Sequence, residues 1–597
     1  MVTHKRGTVA RSFRGAVLAI FTISALAYSH AATKTVTYNI NTLKGKVASV
    51  NGTEGLQIRF SAFIEAEADM DPSEIDNSSV TAANDGTTVA APNVTVNLDT
   101  GGAPQNETSI AVDPNNPNRI VGSANDYVTG TWSCFLGSTP CSAIADGYSG
   151  TYYSNDGGAT WCCNSSSPSD LGTLIPGVTH LAGGQYDAGG DPAVAFDSQG
   201  HVYYSGLGFN RASAPNTVAV NRGTFDGSGA LHWSAPTFIN QTNSPSTLND
   251  KEWIAADSHA SSPFRDRVYV SWTRFIFNPV NGHYVQSPIM FVYSKDGGQT
   301  FSSPQIIAGN VLYSQGSHPV VGPDGSVYVF WDGSTRLGVF DSIWVAKSTD
   351  GGASFGKPVE VSKILDQVPL FNTAFRVNSY PAAAAAPNGD VYATWTSQMS
   401  DSATSYSTAG FCATRTNVPG CHTEAFWSKS SDGGATWSTP LPNFPAYSGV
   451  NRTPVDYETV TLTPSTHRVD GVFPAITTSP AGSVYIGGYV ADTVEPFATN
   501  TSANPPLINN AKLNYVVRNL ITGVSSVVST KSINTRYRFS GQFIGDYTDI
   551  AAGSDDRFHA MWTDTNNVQN ISWNFGSFFN PPLVRSNQDV VTQSGQF

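Results

Sequence analysis

"YYSNDGGATW" runs from Tyr152 to Trp161, and near-copies follow as "VYSKDGGQTF" from Val292, "AKSTDGGASF" from Ala346 and "SKSSDGGATW" from Ser428. The aspartate side chain can accept hydrogen bonds from amides of its own turn, and the paired glycines supply positive φ at no steric cost. In the first copy Ser154, Asp156, Gly158, Thr160 and Trp161 form a self-contained turn with a hydroxyl to close it and an aromatic ring to pack. The same pattern sits at Ser294 to Phe301, Ser348 to Phe355 and Ser430 to Trp437. One turn built four times at wide spacing marks a repeat architecture.

Between these turns lies a second, longer repeat. Its copies read "ETSIAVDPNNPNRIVGSA" from Glu107, "DPAVAFDSQGHVYYSG" from Asp191, "KEWIAADSHASSPFRDRVYVSW" from Lys251 and "HPVVGPDGSVYVFW" from His318. Three more read "YPAAAAAPNGDVYATW" from Tyr380, "FPAITTSPAGSVYIGG" from Phe473 and "DYTDIAAGSDDRFHAMW" from Asp546. Each has a short small-residue strand, a Gly- or Asp-rich turn and a strand of alternating Val, Tyr and Trp, which is a hairpin signature. Aligned on their second residues, the units begin at Thr108, Pro192, Glu252, Pro319, Pro381, Pro474 and Tyr547. Such spacing suits four-stranded blades with insertions, and seven units closing radially leave only short edges exposed. The expectation is an all-β chain folded as a seven-bladed β-propeller, with a six-bladed ring as the alternative. Closure needs a strand from elsewhere, and "VTVNL" at Val94 to Leu98 is the natural donor to the last blade.

Composition agrees with many short strands: of 597 residues, 55 are Gly and 35 Pro, aromatics reach 11% and charged residues only 13%. The net charge of −13, with no long basic run, argues against a phosphate-binding surface and so against nucleic acid as a partner.

The first residues, "MVTHKRGTVARSFRG", are basic and lead into "AVLAIFTISALAY", an apolar run too short to span a membrane. This reads as a secretory signal over residues 1–31, cut after Ser29 to Ala31, so the mature chain is expected to be secreted or periplasmic, without a membrane span. Residues 32–92 are polar and weakly periodic and read as a lead-in, with the propeller over 93–597. Six Cys in an exported chain suggest disulfides. Cys134 with Cys141 and Cys412 with Cys421 would each close a short loop, while the adjacent Cys162 and Cys163 are expected to pair elsewhere. The spacing lacks the paired Cys-x-x-Cys knuckles of a zinc site, and no metal ligands are assigned.

The Ser-x-Asp-x-Gly-x-Thr-Trp turns resemble the Asp-box, or bacterial neuraminidase repeat, and residues from about 94 to 580 look like the sialidase-like propeller superfamily. That resemblance implies turns on the blade periphery, serving as scaffold, and an active site at the channel mouth. On the repeat alignment, the ring just before the innermost strands is Glu107, Asp191, Lys251, His318, Tyr380, Phe473 and Asp546. Asp187, Asp250, Glu252, Asp470, Tyr547 and Asp549 lie nearby. Three arginines precede consecutive inner strands: Arg376 in "FRVNSYP", Arg468 in "HRVDGVFP" and Arg538 in "YRFSGQFIGDY". Guanidinium groups match a carboxylate bidentately, so three converging would grip a sugar acid.

Sialidases of this family use such an arginine triad, a Tyr nucleophile assisted by Glu and an Asp as acid/base. Carried over, this implies Arg376, Arg468 and Arg538 as the triad, Tyr380 or Tyr547 as nucleophile, Glu107 or Glu252 as its base and Asp191 as acid/base. Lys251, His318 and Asp546 complete the substrate-binding set. The Phe/Tyr-Arg-Ile-Pro motif that usually carries the first arginine is absent, with "NETSIAVDP" in its place.

The leading expectation is a monomeric, sialidase-like glycoside hydrolase acting on anionic glycans and requiring no cofactor. A polysaccharide lyase using Tyr380 or His318 as base, and a propeller that binds glycans without turnover, are the rivals. The acidic stretches "GGD" at Gly189 and "GDYTD" at Gly545 are compatible with a structural calcium ion.

Overall fold

In the computed structural model the described residues are 36–53, 92–98, 104–127, 147–162, 173–337, 341–367, 376–412, 420–447, 468–491, 512–534, 543–574 and 577–597, with strand pairs at 135–136, 139–140, 499–500 and 507–508. The expected signal segment, Cys134, Cys141, Cys163 and Arg538 lie outside them.

Seven antiparallel sheets form seven blades in a ring. Their innermost strands are Gln105–Asp113, Ala188–Phe196, Thr247–Ala256, Tyr313–Val321, Ala382–Ala385, Gly471–Thr478 and Asp549–Ala552. Each touches the innermost strand of the next blade, and the last touches the first, so the ring is closed. Blade 4 shows the plan, running outward through Val327–Ser334 and Ser342–Ser348 to Val359–Lys363.

The second strand of each blade is covered on both faces by neighbouring blades, and its sequence therefore reads as a continuous apolar run. In blade 4, Val327 to Trp331 are all buried. Trp272, Trp331, Trp395 and Trp562 occupy the same register position in blades 3, 4, 5 and 7, and each is 0% exposed.

The ring is closed by the strand that the sequence singles out. Val94 pairs with Thr592 and Thr95 with Val591, so the N-terminal strand Val94–Thr95 becomes the outer strand of blade 7. Val96 is buried and its amide donates to the Val590 carbonyl at 2.8 Å.

Residues 38–53, which composition places in the lead-in, pack on the propeller. The helix Leu43–Asn51 is capped by the Thr42 hydroxyl accepting from the Gly45 amide. It buries Leu43, Val47 and Val50 in the core shared by blades 2 and 3. Lys46 donates to the Thr247 carbonyl at 3.0 Å, and burial pulls its pKa down to about 8. Among the described residues no helix is long and apolar enough to cross a membrane.

The Asp-Gly-Gly turns join the third and fourth strands. In the first, Thr160 gives its amide to one Asp156 carboxylate oxygen at 2.9 Å and its hydroxyl to the other at 2.6 Å, while Gly158 N–H donates to Ser154 Oγ at 2.9 Å. The turns at Asp296, Asp350 and Asp432 repeat this bonding. Three of the four turns also accept a hydrogen bond from the blade before them. Thr237 Oγ1 of blade 2 donates to Gly298 O at 2.8 Å, and Arg267 Nη1 of blade 3 donates to Gly351 O at 2.7 Å. Ser594 Oγ of blade 7 donates to Gly157 O at 3.3 Å. Ser154 pairs with Ile120, which pairs with Val112, so the first turn begins roughly 16 Å of strand beyond Glu107, at the opposite end of the blade. The bonds from Thr237, Arg267 and Ser594 tie neighbouring blades together at the ends remote from Glu107. The Cys412–Cys421 disulfide is formed, and Cys162 is disulfide-bonded.

Candidate functional site

Five inner strands carry a β-bulge at the same level. Its first residue is in the left-handed region: Glu107 (φ 56°), Asp191 (φ 55°), Lys251 (φ 53°), Gly316 (φ 67°) and Phe473 (φ 50°). Only glycine adopts this conformation without strain, and bulges re-aim side chains toward a site. Four non-glycine residues held this way at one level of the channel therefore mark it as built for their side chains.

The register corrects the ring drawn from sequence. In blade 4 Gly316 occupies the position of Glu107, and His318 stands two residues further along, pairing with Phe330. In blade 7 Tyr547, not Asp546, is equivalent to Asp191, because Asp549 pairs with Met561 as Ala193 pairs with Ser205. Inserted or lost residues at a bulge do not change the period-2 pattern beyond it, so they are silent in a repeat alignment.

Asn125 binds the centre together. Its Nδ2 donates to Glu107 Oε2 at 2.7 Å, and its Oδ1 accepts from the Asp191 amide at 2.9 Å. Glu107 Oε1 accepts from the Asp546 amide at 3.1 Å. Asp191 Oδ2 accepts from the Lys251 amide at 3.2 Å. Asp546 is ion-paired with Arg376, whose guanidinium also lies 5.2 Å from the centre of the Phe543 ring. Lys251 Nζ sits 3.3 Å from the Tyr547 ring centre and 5.6 Å from that of Tyr380. Asp250 accepts from Gln315 Nε2 at 3.2 Å.

Glu107, Asp191, Asp250, Glu252 and Asp546 are all buried. Burial drives the Glu107 carboxyl well above the usual range, with Lys251 pulling back and Asp191 and Asp546 adding to the rise. Asp250 and Glu252 are raised by burial and then by Asp191. Burial lowers His318 to about 3, leaving a neutral ring stacked on Trp253 at 4.8 Å. The cavity bounded by Lys251, Glu252, Trp253, His318, Tyr380 and Tyr547 holds about 40 Å³.

Two expected arrangements are not found. Arg468 lines a separate cavity of about 300 Å³ on blade 5, beside Tyr406, Glu424 and Phe426, so it does not converge with Arg376. Among the described residues no expected tyrosine is hydrogen-bonded to an expected glutamate: Glu107 is taken by Asn125 and Asp546, the Glu252 carboxyl oxygens bond no other described residue, and Tyr547 Oη donates to the Pro192 carbonyl at 3.4 Å. Burial raises Tyr547 well above its usual value, with Glu107, Asp191, Glu252 and Asp546 adding to it, which opposes a phenolate. Asp187 and Asp470 also stand apart, Asp187 beside His180 at 3.6 Å and Asp470 accepting from the Thr423 amide at 2.7 Å. For calcium, the described residues contain no group of three His, Cys, Asp or Glu placed to hold a metal ion.

Sequence reasoning missed Asn125 and Trp253. Asn125 stands in the second strand of blade 1, and nothing in "GSANDY" distinguishes it from a strand-end asparagine. Trp253 falls inside "KEWIAAD", where it reads as core.

No family model matches the chain, and no curated protein matches it. Among solved structures, it is similar to a protein of unknown function from Dyadobacter fermentans, at 12% identity and a TM-score of 0.38, over 84% of this chain and 97% of that one. It is similar to the α-L-arabinofuranosidase Arb93A of Fusarium graminearum at 10% identity and a TM-score of 0.35, over 66% of this chain and 91% of that one. The intramolecular trans-sialidase of Ruminococcus gnavus matches at 10% identity and a TM-score of 0.33, over 85% of this chain and 99% of that one.

Proposed function

We propose that the chain is an exported glycoside hydrolase working at the channel mouth through carboxyl groups, with Asp191 as acid/base and Asp546 as the facing carboxylate. The observation that carries this reading is the relay from the Asp191 amide through Asn125 and Glu107 to the Asp546 amide, which fixes two acids from blades 2 and 7 around blade 1. In a two-carboxyl mechanism one acid protonates the glycosidic oxygen while the other, as a carboxylate, meets the developing positive charge at the anomeric carbon. Arg376 orients Asp546 for that task.

A carboxylate pair replaces the tyrosine nucleophile in this reading, because among the described residues no glutamate is hydrogen-bonded to Tyr547 to take its phenolic proton. Neutral glycans suit the site better than anionic ones, since the cations that meet the five buried carboxyl groups among the described residues are Lys251 and Arg376. The Cys412–Cys421 disulfide accords with an oxidising compartment.

The test is turnover of neutral, amino and acidic oligosaccharides by the purified chain, beside Asp191→Asn and Asp546→Asn. Hydrolysis reduced by roughly 10²–10⁴-fold in both variants, with binding retained, is the expected result. Unsaturated products would move the case to a lyase. A second reading, recognition without turnover, is favoured by the cavity of about 40 Å³, which accommodates a few waters rather than a sugar ring. Binding with no product from any substrate would establish it.

A further inference from the structure

We infer that the channel cavity receives the ammonium group of an amine-bearing ligand, an amino sugar in the setting of the glycan site proposed above, with Glu252 as its counter-ion and Trp253 and Tyr547 as aromatic walls. The inference rests on that reading only in placing the ligand in this channel.

Glu252 is 1% exposed, lines the cavity, and neither of its carboxyl oxygens bonds another described residue. A buried carboxyl with no partner costs folding free energy that a bound donor would recover. The neighbouring surface already holds one cation against an aromatic face. Lys251 Nζ lies against the face of Tyr547, and the Trp253 ring meets Tyr547 edge to face at 5.2 Å and stacks on a neutral His318. Aromatic faces attract an ammonium group through the ring quadrupole.

The size agrees as well. About 40 Å³ exceeds what one water needs, and an ammonium group is about the size of a water, so the cavity has room for the head group. A metal ion fits poorly, because no three acidic or histidine side chains among the described residues are placed to ligate one. An acidic sugar would bring a charged carboxylate among five buried carboxyl groups, where burial already disfavours the ionised form.

The groups facing Glu252 are Asp191, Asp250 and Lys251, with Tyr204 and Tyr547 close enough to feel its charge. Burial and then Asp191 hold its proton on well above the ordinary range. An incoming ammonium reverses that balance: the carboxyl releases its proton to solvent and pairs with the ligand as a carboxylate, so binding sheds one proton.

The test is calorimetry at pH 7, in two buffers of different ionisation enthalpy, with a glucosamine disaccharide, its N,N′-diacetyl counterpart and a glucuronic acid disaccharide. The amine is expected to bind at least about tenfold more tightly than the acetylated sugar, a difference of ~1.4 kcal/mol, with about one proton released. Glu252→Gln should remove the preference, bringing the amine down to the level of the acetylated sugar. Equal or tighter binding of the acetylated or acidic sugar, no measurable amine binding, amine binding without proton release, or a preference that survives Glu252→Gln would each overturn the inference. The proton count is read on the unaltered chain, so it stands even if Glu252→Gln fails to fold. Hydrolysis of neutral glycans without amine preference would remove this inference and leave the hydrolase standing. Amine binding without hydrolysis of any substrate would do the reverse.

Discussion

Val94, at the start of the propeller, stands opposite Thr592, near its end, and this pairing converts an open row of blades into a ring. The adjoining Val96 is 0% exposed and packs with Ile110 and Val590 between blades 7 and 1. Val96→Asp should place an unpaired charge there and abolish the cooperative unfolding transition, whereas Val96→Ala should cost about 2 kcal/mol in urea denaturation. An unchanged urea midpoint in both variants would show that the ring does not depend on this strand.

Asp546 has no exposed side-chain surface, and its partner Arg376 only 11%. Removing one member of such a pair leaves a buried charge uncompensated, at a cost of roughly 3–5 kcal/mol. Arg376→Ala is therefore expected to be strongly destabilised, and the Arg376→Ala/Asp546→Asn double variant to be more stable than Arg376→Ala alone. Additive losses, read from denaturant midpoints, would mean that the two side chains do not act as a pair.

The Asp-Gly-Gly turns predict stability without a share in chemistry. Asp156→Ala removes acceptors from Thr160 and Ser154 and should cost about 1 kcal/mol, with ligand binding at the channel unchanged. A binding defect at full stability would place this turn in the functional machinery.

Stability should peak in mildly acidic solution. Burial raises Asp549 to about 7 against hydrogen bonds from Ile110, Ile550 and Ser109, so its share is present below the unfolded value of 3.8 and lost as pH climbs to about 7. Burial works to lower His422, but Asp401 and Glu424 outweigh it and hold the ring at about 9, so its share is lost as pH rises from 6.5 to about 9. At the acid end, burial works to raise Asp350, but hydrogen bonds from Ser354, Ser348 and the Ala353 amide together outweigh it and hold it down to about 2, and Thr436 and Ser430 hold Asp432 down likewise. Their shares are lost as pH falls from 3.8 toward about 2. Denaturant titrations across pH should show a maximum at about pH 4, with Asp549→Asn flattening the limb from 3.8 to 7 and His422→Asn the limb from 6.5 to 9. A profile that rises steadily toward pH 9 would contradict both assignments.

Local chemistry was legible wherever it repeats. The serine, aspartate and glycines of each turn interact within a few residues of one another, so their geometry follows from their order in the chain. The hairpins and the Val94 donor were equally readable, because strand alternation and an unmatched edge are one-dimensional patterns.

The site was legible only in part. Glu107, Asp191, Lys251 and Tyr380 stand where the repeat alignment put them, since their blades keep the expected distance from bulge to hairpin. His318 and Asp546 shifted because blades 4 and 7 differ by a residue or two at the one point where the pattern carries no phase. The sequence by itself determined a ring of turn-locked blades, because hydrogen bonds between near neighbours and alternating burial are written along the chain. Only the tertiary structure decided that Arg376 meets Asp546 while Arg468 faces another cavity, and that Asn125 ties Glu107 to Asp191. Those contacts join residues far apart in sequence, and the ring's closure sets their distances.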